Sequence, residues 1–211
     1  MNETASTAGS GGVTLPSWAA HLEQKLAPGP LLLVQAFVDT LDLDLGTDIL
    51  AQPDQARAWL ADAGLRDGVA PPGDARDPGF ADDLQLAREV RETFRAMIAR
   101  NTGGGPLTAA ELKPIAHVLA QAQPELAVSA QGEVTLAAQS PAEGVAEGLL
   151  GLLLSIRDAQ ADGSWSRLKL CGNPDCRWAF YDRSHGQVGA WCDMATCGNR
   201  IKNRRLRQRP R

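Results

Sequence analysis

The sequence has little that is typical of a membrane-spanning helix or of a secretory signal peptide. Its longest apolar run, from Gly148 to Ile156, is far shorter than the roughly 20 residues that a membrane-spanning helix needs. The first twelve residues contain no lysine or arginine, which is not typical of a secretory signal peptide. We therefore expect a cytoplasmic protein without a membrane partner. In the cytoplasm disulfides are disfavoured, and clustered thiols more often bind metal.

Residues that usually build catalytic sites are also scarce before residue 164. This part has only two histidines and no cysteine, P-loop or GxSxG motif. The acidic residues of the stretch VDTLDLDLGTD could form a carboxylate metal site. The simpler interpretation is that they are solvated residues in turns and on a helix face. Because no reaction can be assembled from these residues, the sequence predicts a protein that is not an enzyme. The four aspartates of this stretch are Asp39, Asp42, Asp44 and Asp48.

Hydrophobic periodicity predicts a mainly α fold with one β-hairpin. An apolar segment at 30–41 favours a buried helix, although a strand fits so short a run. The segment LAVSAQGEVTLA alternates apolar and polar residues around Gln131-Gly132, which predicts the hairpin. Two capping boxes, Thr108 with Glu111 and Ser140 with Glu143, mark helix starts. The remaining helices are predicted within 53–65, 80–101, 107–121 and 143–160.

Composition divides the chain into three parts. Residues 1–12 are rich in Ser, Gly and Thr and predict a disordered arm. Residues 13–163 form the predicted helical domain, and residues 164–211 contain all four cysteines. The cysteine-containing part is small, so we expect a bound metal and aromatic packing to stabilise it.

Charge divides the chain in a similar place. The segment 167–211 has eleven Lys and Arg against three Asp and Glu, a net charge of +8, whereas residues 1–166 carry −12. The whole chain has a net charge of −4. A basic module on an acidic body suggests a polyanionic partner.

The cysteine spacing predicts a zinc site. Cys171 and Cys176 are separated by four residues, as are Cys192 and Cys197, and fifteen residues lie between the pairs. Two close pairs joined by a short loop suit tetrahedral coordination, and four thiolates leave no open position, so one structural Zn²⁺ is expected. Two disulfides or buried unliganded thiols are the alternatives, with a redox-sensitive zinc site as a variant. His185 is then expected in an exposed loop.

A basic helix is predicted after the last cysteine, from Gly198 to about Arg209, where Pro210 disfavours continuation. A cationic stripe is formed at helical spacing by Arg200, Arg204 and Arg207, and Arg211 extends it. We expect Ile201 and Leu206 to anchor the helix to the zinc module. Such a stripe can bind the phosphate backbone of a nucleic acid. The alternatives are a basic tail that is only solvated, or a tail that docks on the acidic body of the same protein. The candidate nucleic-acid-binding residues are Asn199, Arg200, Lys202, Arg204, Arg205, Arg207 and Arg209.

The segments CGNPDCRWAFYDRS and WCDMATCGNRIK resemble the CGNR zinc finger, named for the tetrapeptide that begins at Cys197. In that family the finger follows a helical domain called ABATE. The segments LVQAFVDTLDL and ARAWLADAGL resemble the opening of that domain. Proteins of the family are regarded as bacterial stress-induced transcription regulators. The sequence departs from the family at His185, Gly186 and Ala190, where relatives commonly carry Arg. It also departs at Asp39, where relatives usually have Asn.

Together these features predict a zinc-dependent DNA-binding transcription regulator. The helical domain would sense an unknown small-molecule ligand or form a homodimer that reads two half-sites. The alternative is an RNA-binding protein in which Trp178, Tyr181 or Trp191 stacks on unpaired bases. The RNA hypothesis depends on those rings being exposed. A metal-dependent enzyme in the helical domain is the third, less favoured class.

Overall fold

The computed structural model describes residues 15–66, 79–138 and 144–207. The predicted arm at 1–12, the Ser140–Glu143 capping box, Arg209 and Arg211 lie outside these ranges. The fold is mainly helical, with three two-stranded antiparallel hairpins in the described part. The helices are α1 Leu31–Val38, α2 Pro53–Asp62, α3 Phe80–Arg100, α4 Ala109–Ala122, α5 Ala146–Ala161 and α6 Asn199–Arg207. The strands are β1 Leu41–Asp42, β2 Thr47–Asp48, β3 Pro124–Val128, β4 Val134–Ala138, β5 Leu168–Leu170 and β6 Ala179–Tyr181.

The short apolar segment after Pro30 is a helix, α1, which decides between the two alternatives left open by its sequence. It packs against α3 and α5, and Val34, Phe37 and Val38 have no exposed surface. Phe37 stacks on Trp59 and meets Phe94 edge-on. An apolar helix buried on most sides is thus placed at the centre of the core.

Local signals set the ends of the other helices. Pro53 is the first residue of α2, and Gly64 follows its end with a φ of +64°, a conformation that glycine adopts without strain. The capping box predicted before α4 is present, because Thr108 Oγ1 accepts from Glu111 N and the Glu111 carboxylate accepts from Thr108 N. The predicted hairpin also forms, with Leu126 paired to Leu136.

The β3–β4 hairpin leaves apolar side chains at the surface. Leu126, Val128 and Val134 are each about two-thirds exposed or more. Separately, none of the helices in the described ranges combines the length and hydropathy needed to cross a bilayer.

The β5–β6 hairpin belongs to the main core. Leu168, Ala179 and Tyr181 are buried in the same hydrophobic cluster as α1, α3 and α5. Asn101, just after α3, donates from Nδ2 to the carbonyls of Trp165 and Leu168, both at 2.8 Å. The strands that begin the cysteine module are therefore held by the helical body.

Helix α5 passes very close to the end of the α2 segment at a glycine. A Cβ atom on Gly148 would lie 2.3 Å from the carbonyl oxygen of Leu65 and 2.5 Å from its Cα, whereas a Cβ on Gly151 would meet nothing within 4 Å. Only the first position needs glycine for packing.

We predict that Gly148→Ala lowers the free energy of unfolding by about 1–3 kcal/mol, because backbone must move to admit the methyl group. The matched variant Gly151→Ala should raise it by about 0.5–1 kcal/mol, since alanine favours the helix. Urea unfolding followed by circular dichroism measures both. Equal effects at the two positions would contradict the close approach.

Candidate metal centre and basic helix

The four cysteine sulfurs converge on one point. All four Sγ atoms lie within 4.8 Å of one another, and Cys192 Sγ is 3.8 Å from both Cys176 Sγ and Cys197 Sγ. Cys171, Cys176 and Cys197 are buried, Cys192 is half-buried, and none is in a disulfide. Among the described residues this is the one cluster of three or more His, Cys, Asp or Glu side chains that can hold a metal ion.

This geometry fits zinc. A tetrahedron with zinc–sulfur bonds of about 2.3 Å has its sulfurs about 3.8 Å apart, as observed for the two contacts of Cys192 Sγ. Hydrogen bonds from Cys176 and Cys192 lower the pKa of the Cys171 thiol, while the bonds among these thiols raise the pKa of Cys176 and Cys192. Metal binding is therefore expected to release the remaining protons. Four sulfur ligands fill the coordination shell, so one structural Zn²⁺ is bound with no position left for catalysis.

The first pair of ligands is brought together by a tight turn built on Asn173. Its carbonyl accepts from the backbone N–H groups of Cys176 and Arg177 at 3.0 and 3.1 Å. Its buried side-chain amide lies 3.7 Å from Cys197 Sγ and links the two halves of the site. Amide donors to zinc-bound sulfur orient the ligand and stabilise its charge.

The second pair is held by a single π-helical turn, Met194–Gly198, that Asp193 caps. The Asp193 carboxylate accepts from the backbone N–H groups of Ala195 and Thr196, at 3.0 and 3.2 Å. These bonds, first that from Ala195, lower the pKa of Asp193. The cap fixes the turn that carries Cys197.

Each residue of the CGNR tetrapeptide has a distinct contact. Cys197 is a ligand, and a Cβ on Gly198 would lie 2.4 Å from Met194 Sδ and 3.2 Å from Trp191 Cδ1, so the exposed Met194 side chain would have to move to admit it. Asn199 Nδ2 donates to the Ala195 carbonyl at 3.0 Å. Arg200 Nη1 binds both carboxylate oxygens of Asp44, at 2.6 and 2.7 Å.

The aromatic residues of the module face inward. Trp178 and Trp191 pack against the cysteine cluster, while Phe180 and Tyr181 are buried. His185 is exposed, as expected for a loop residue.

The loop from His185 to Ala190 is organised by Asp182, a residue that the sequence patterns did not single out. Its carboxylate accepts from Lys169 Nζ at 2.8 Å, from Ser184 N and Oγ, and from Gly189 N at 2.7 Å. Burial alone raises the pKa of Asp182, but these donors outweigh it and hold that pKa below its usual range. Both Lys169 and Asp182 are buried.

Helix α6 starts directly at the metal cluster. Ile201 is buried and anchors it, whereas Leu206 is 54 % exposed, so its expected anchoring role is wrong. Leu206 comes five residues after Ile201, which places it about 140° around the helix from that buried side chain. Arg200, Asn203, Arg204 and Arg207 line one shallow groove, as the predicted stripe requires. Arg204 Nη2 also binds Asp175, at 2.8 Å, in the turn between the first two cysteines.

Three of the four aspartates of VDTLDLDLGTD share one cavity, and the fourth is paired elsewhere. Asp48 forms a two-pronged ion pair with Arg91 at 2.6 and 3.0 Å. Asp39, Asp42 and Asp44 instead line a cavity of about 350 Å³ that reaches Trp178 and the zinc-site cysteines. Burial raises the pKa of Asp39 well above its usual range.

Removal of zinc should release α6 while leaving the helical body folded. With a chelator, hydrogen exchange should accelerate strongly in 171–177 and 191–207, because these segments depend on the metal for their shape. Strands β5 and β6, α3 and α5 should remain protected, since they share the main core. Mass-spectrometric exchange alongside a colorimetric zinc assay measures this. Unchanged protection of α6 after release of one zinc per chain would contradict it.

Asp182→Asn should lower the free energy of unfolding by about 3–5 kcal/mol at neutral pH, because it leaves Lys169 buried without its counter-charge. The exposed pair of Arg157 with Asp158 supplies the control, Asp158→Asn, which should cost about 0–1 kcal/mol.

The same pair predicts a pH dependence. Since the folded-state pKa of Asp182 is lowered, its stabilisation is complete above the ordinary carboxyl pKa and is lost as the pH falls below that value. The gap in stability between wild type and Asp182→Asn should therefore narrow in acid, measured by urea unfolding at several pH values. A constant gap would contradict the role of the Asp182 charge.

Comparison with family models supports this arrangement. Residues 31–159 match the ABATE model, described as "Putative stress-induced transcription regulator", and residues 167–210 match the CGNR zinc finger. The order of the two matches is the one predicted from the sequence. No curated protein matches the chain. Because the first match spans more than half of the 211 residues, the chain belongs to the ABATE family and carries a C-terminal CGNR zinc finger.

Proposed function

We propose that this protein is a DNA-binding transcription regulator in which zinc orients α6 and the arginines of α6 bind the phosphate backbone. The proposal takes residues 13–163 as the domain that senses a ligand or dimerises, and 164–211 as the DNA-binding module. It refines the family description, which names regulation but not the partner.

The observation that carries the proposal is the charge of α6. Its nine residues include five Lys and Arg and no acidic residue. Arg200, Arg204 and Arg207 are exposed along one groove. A rigid helix with this density of positive charge binds a polyanion favourably, because binding releases the counterions that are condensed on the phosphates.

The contacts of α6 with carboxylates of its own chain are weak competitors. Arg200 binds Asp44 and Arg204 binds Asp175, and both arginines are half exposed. Exposed pairs of this kind contribute little to stability and are screened by salt. Several phosphates on a duplex can replace them, so the pairs position α6 without preventing DNA binding.

The RNA-binding alternative has less support. It needs exposed rings on which bases stack, yet Trp178 and Trp191 are half-buried against the cysteine cluster and Tyr181 is in the main core. The positive charge of α6 fits either nucleic acid, so RNA remains an outcome of the test below. Asn199, Lys202, Arg205 and Arg209 remain predicted contacts.

The decisive variant replaces Arg200, Arg204 and Arg207 together with alanine. We expect binding to a pool of duplex DNA to weaken at least about 100-fold at low salt and the slope of log K against log salt to become shallower by roughly 3. Fluorescence anisotropy with labelled DNA, repeated with single-stranded RNA, measures both.

A charge-matched control keeps α6 intact. Replacing Arg100, Lys113 and Arg157 with alanine removes the same three charges from exposed positions outside α6. This control should bind within a few-fold of wild type. Equal binding by the two triple variants would overturn the role of α6, and tighter binding to RNA than to duplex DNA would favour the alternative.

A further inference from the structure

The cavity between the β1–β2 hairpin and the zinc site is strongly acidic. Asp39, Asp42 and Asp44 line it on one side, and Glu23 and Asp193 contribute further carboxylates. Three of the cysteine ligands also border it. Four thiolates around one Zn²⁺ retain a net charge of −2, so the zinc site adds to the negative potential of the cavity.

Asp39 supplies an independent sign that a ligand belongs here. Its side chain is 98 % buried, and Oδ1 accepts from Ala179 N at 2.8 Å. Oδ2 is buried with no hydrogen-bond partner. Arg95 is near enough to attract this carboxylate, but it donates to the carbonyls of Val38 and Arg177 instead. A buried oxygen without a partner is costly. Burial raises the pKa of Asp39 and so favours its protonated form, whereas a bound cation would stabilise the carboxylate and lower that pKa.

The geometry indicates which donor fits. The carboxylates do not form a metal-binding cluster, since among the described residues only the four cysteines approach closely enough to share one ion. An anion would be repelled. The volume of about 350 Å³ is at the lower end of the range of about 300–1,000 Å³ for small-molecule sites. Trp178 and Ile49 give the cavity an apolar wall.

We infer that this cavity binds a small organic cation, with an ammonium group on Asp39 and Asp42 and its hydrocarbon part against Trp178 and Ile49. The inference deepens the ligand-sensing part of the proposed function, on which its regulatory meaning rests, by naming the chemical class of the ligand. Ammonium groups are recognised by carboxylates and by the faces of aromatic rings.

The cavity is linked to α6 through one side chain. Asp44 lines the cavity and is also the carboxylate that Arg200 binds. A cation in the cavity competes with Arg200 for Asp44 and thereby frees Arg200 for phosphate. By thermodynamic linkage, removal of the Arg200 charge should tighten cation binding by the same coupling.

The binding site is tested with the zinc-loaded full chain and 1,4-diaminobutane, titrated calorimetrically at low salt. Asp39→Asn keeps the acceptor for Ala179 N and should weaken binding roughly tenfold or more. Glu133→Gln, on the exposed β3–β4 turn far from the cavity lining, should leave the affinity unchanged. Butane-1,4-diol, which lacks the charge, should not bind.

Asp42→Asn gives a second variant if Asp39→Asn does not fold. Its Oδ1 still accepts from the backbone N–H groups of Asp44 and Leu45. The inference is overturned if the diamine does not bind, or if the cavity variants lose no more affinity than Glu133→Gln.

The coupling is tested by Arg200→Gln against Arg204→Gln. The first should tighten diamine binding about two- to tenfold, within the range of typical coupling free energies, and the second should not, because Asp175 does not line the cavity. Equal changes would overturn the link and leave only a general effect of net charge. These titrations contain no nucleic acid, so their failure is distinct from a failure of DNA binding.

Discussion

Four sulfur atoms gathered within 4.8 Å set the direction of the basic helix. Cys197 is a ligand, α6 begins two residues later, and Ile201 packs into the module within its first turn. The other half of the site is carried by β5 and β6, which are buried in the core of the helical body. The metal therefore joins a rigid scaffold to a charged helix that has little apolar surface to hold it in place.

The positive charge of α6 is partly paired with carboxylates of the same chain. Two arginines of α6 bind aspartates of the chain itself, one in the β1–β2 hairpin and one in the turn between zinc ligands. These exposed pairs are weak, so they bias the helix without fixing it. In the proposed regulator this balance is useful, because a ligand in the acidic cavity would need to change the contacts of these arginines only modestly.

Much of the site could be predicted because its signals are local. The cysteine spacing, the Thr108–Glu111 capping box and the stripe on α6 all depend on residues a few positions apart. Asp182 gave no such signal, since its partner Lys169 becomes visible only once β5 and β6 pair. The exposure of Leu206 could have been predicted, because five residues of helix place it about 140° from Ile201 and so on a different face.

Asp39 has a further consequence for the order in which the protein folds. Its bond to Ala179 joins residues 140 positions apart, and Gln35 donates to the same residue across 144 positions. Closing so large a loop is entropically costly and comes late unless other contacts have already shortened it. The acidic cavity beside Asp39 can therefore be completed only after these two distant segments have met.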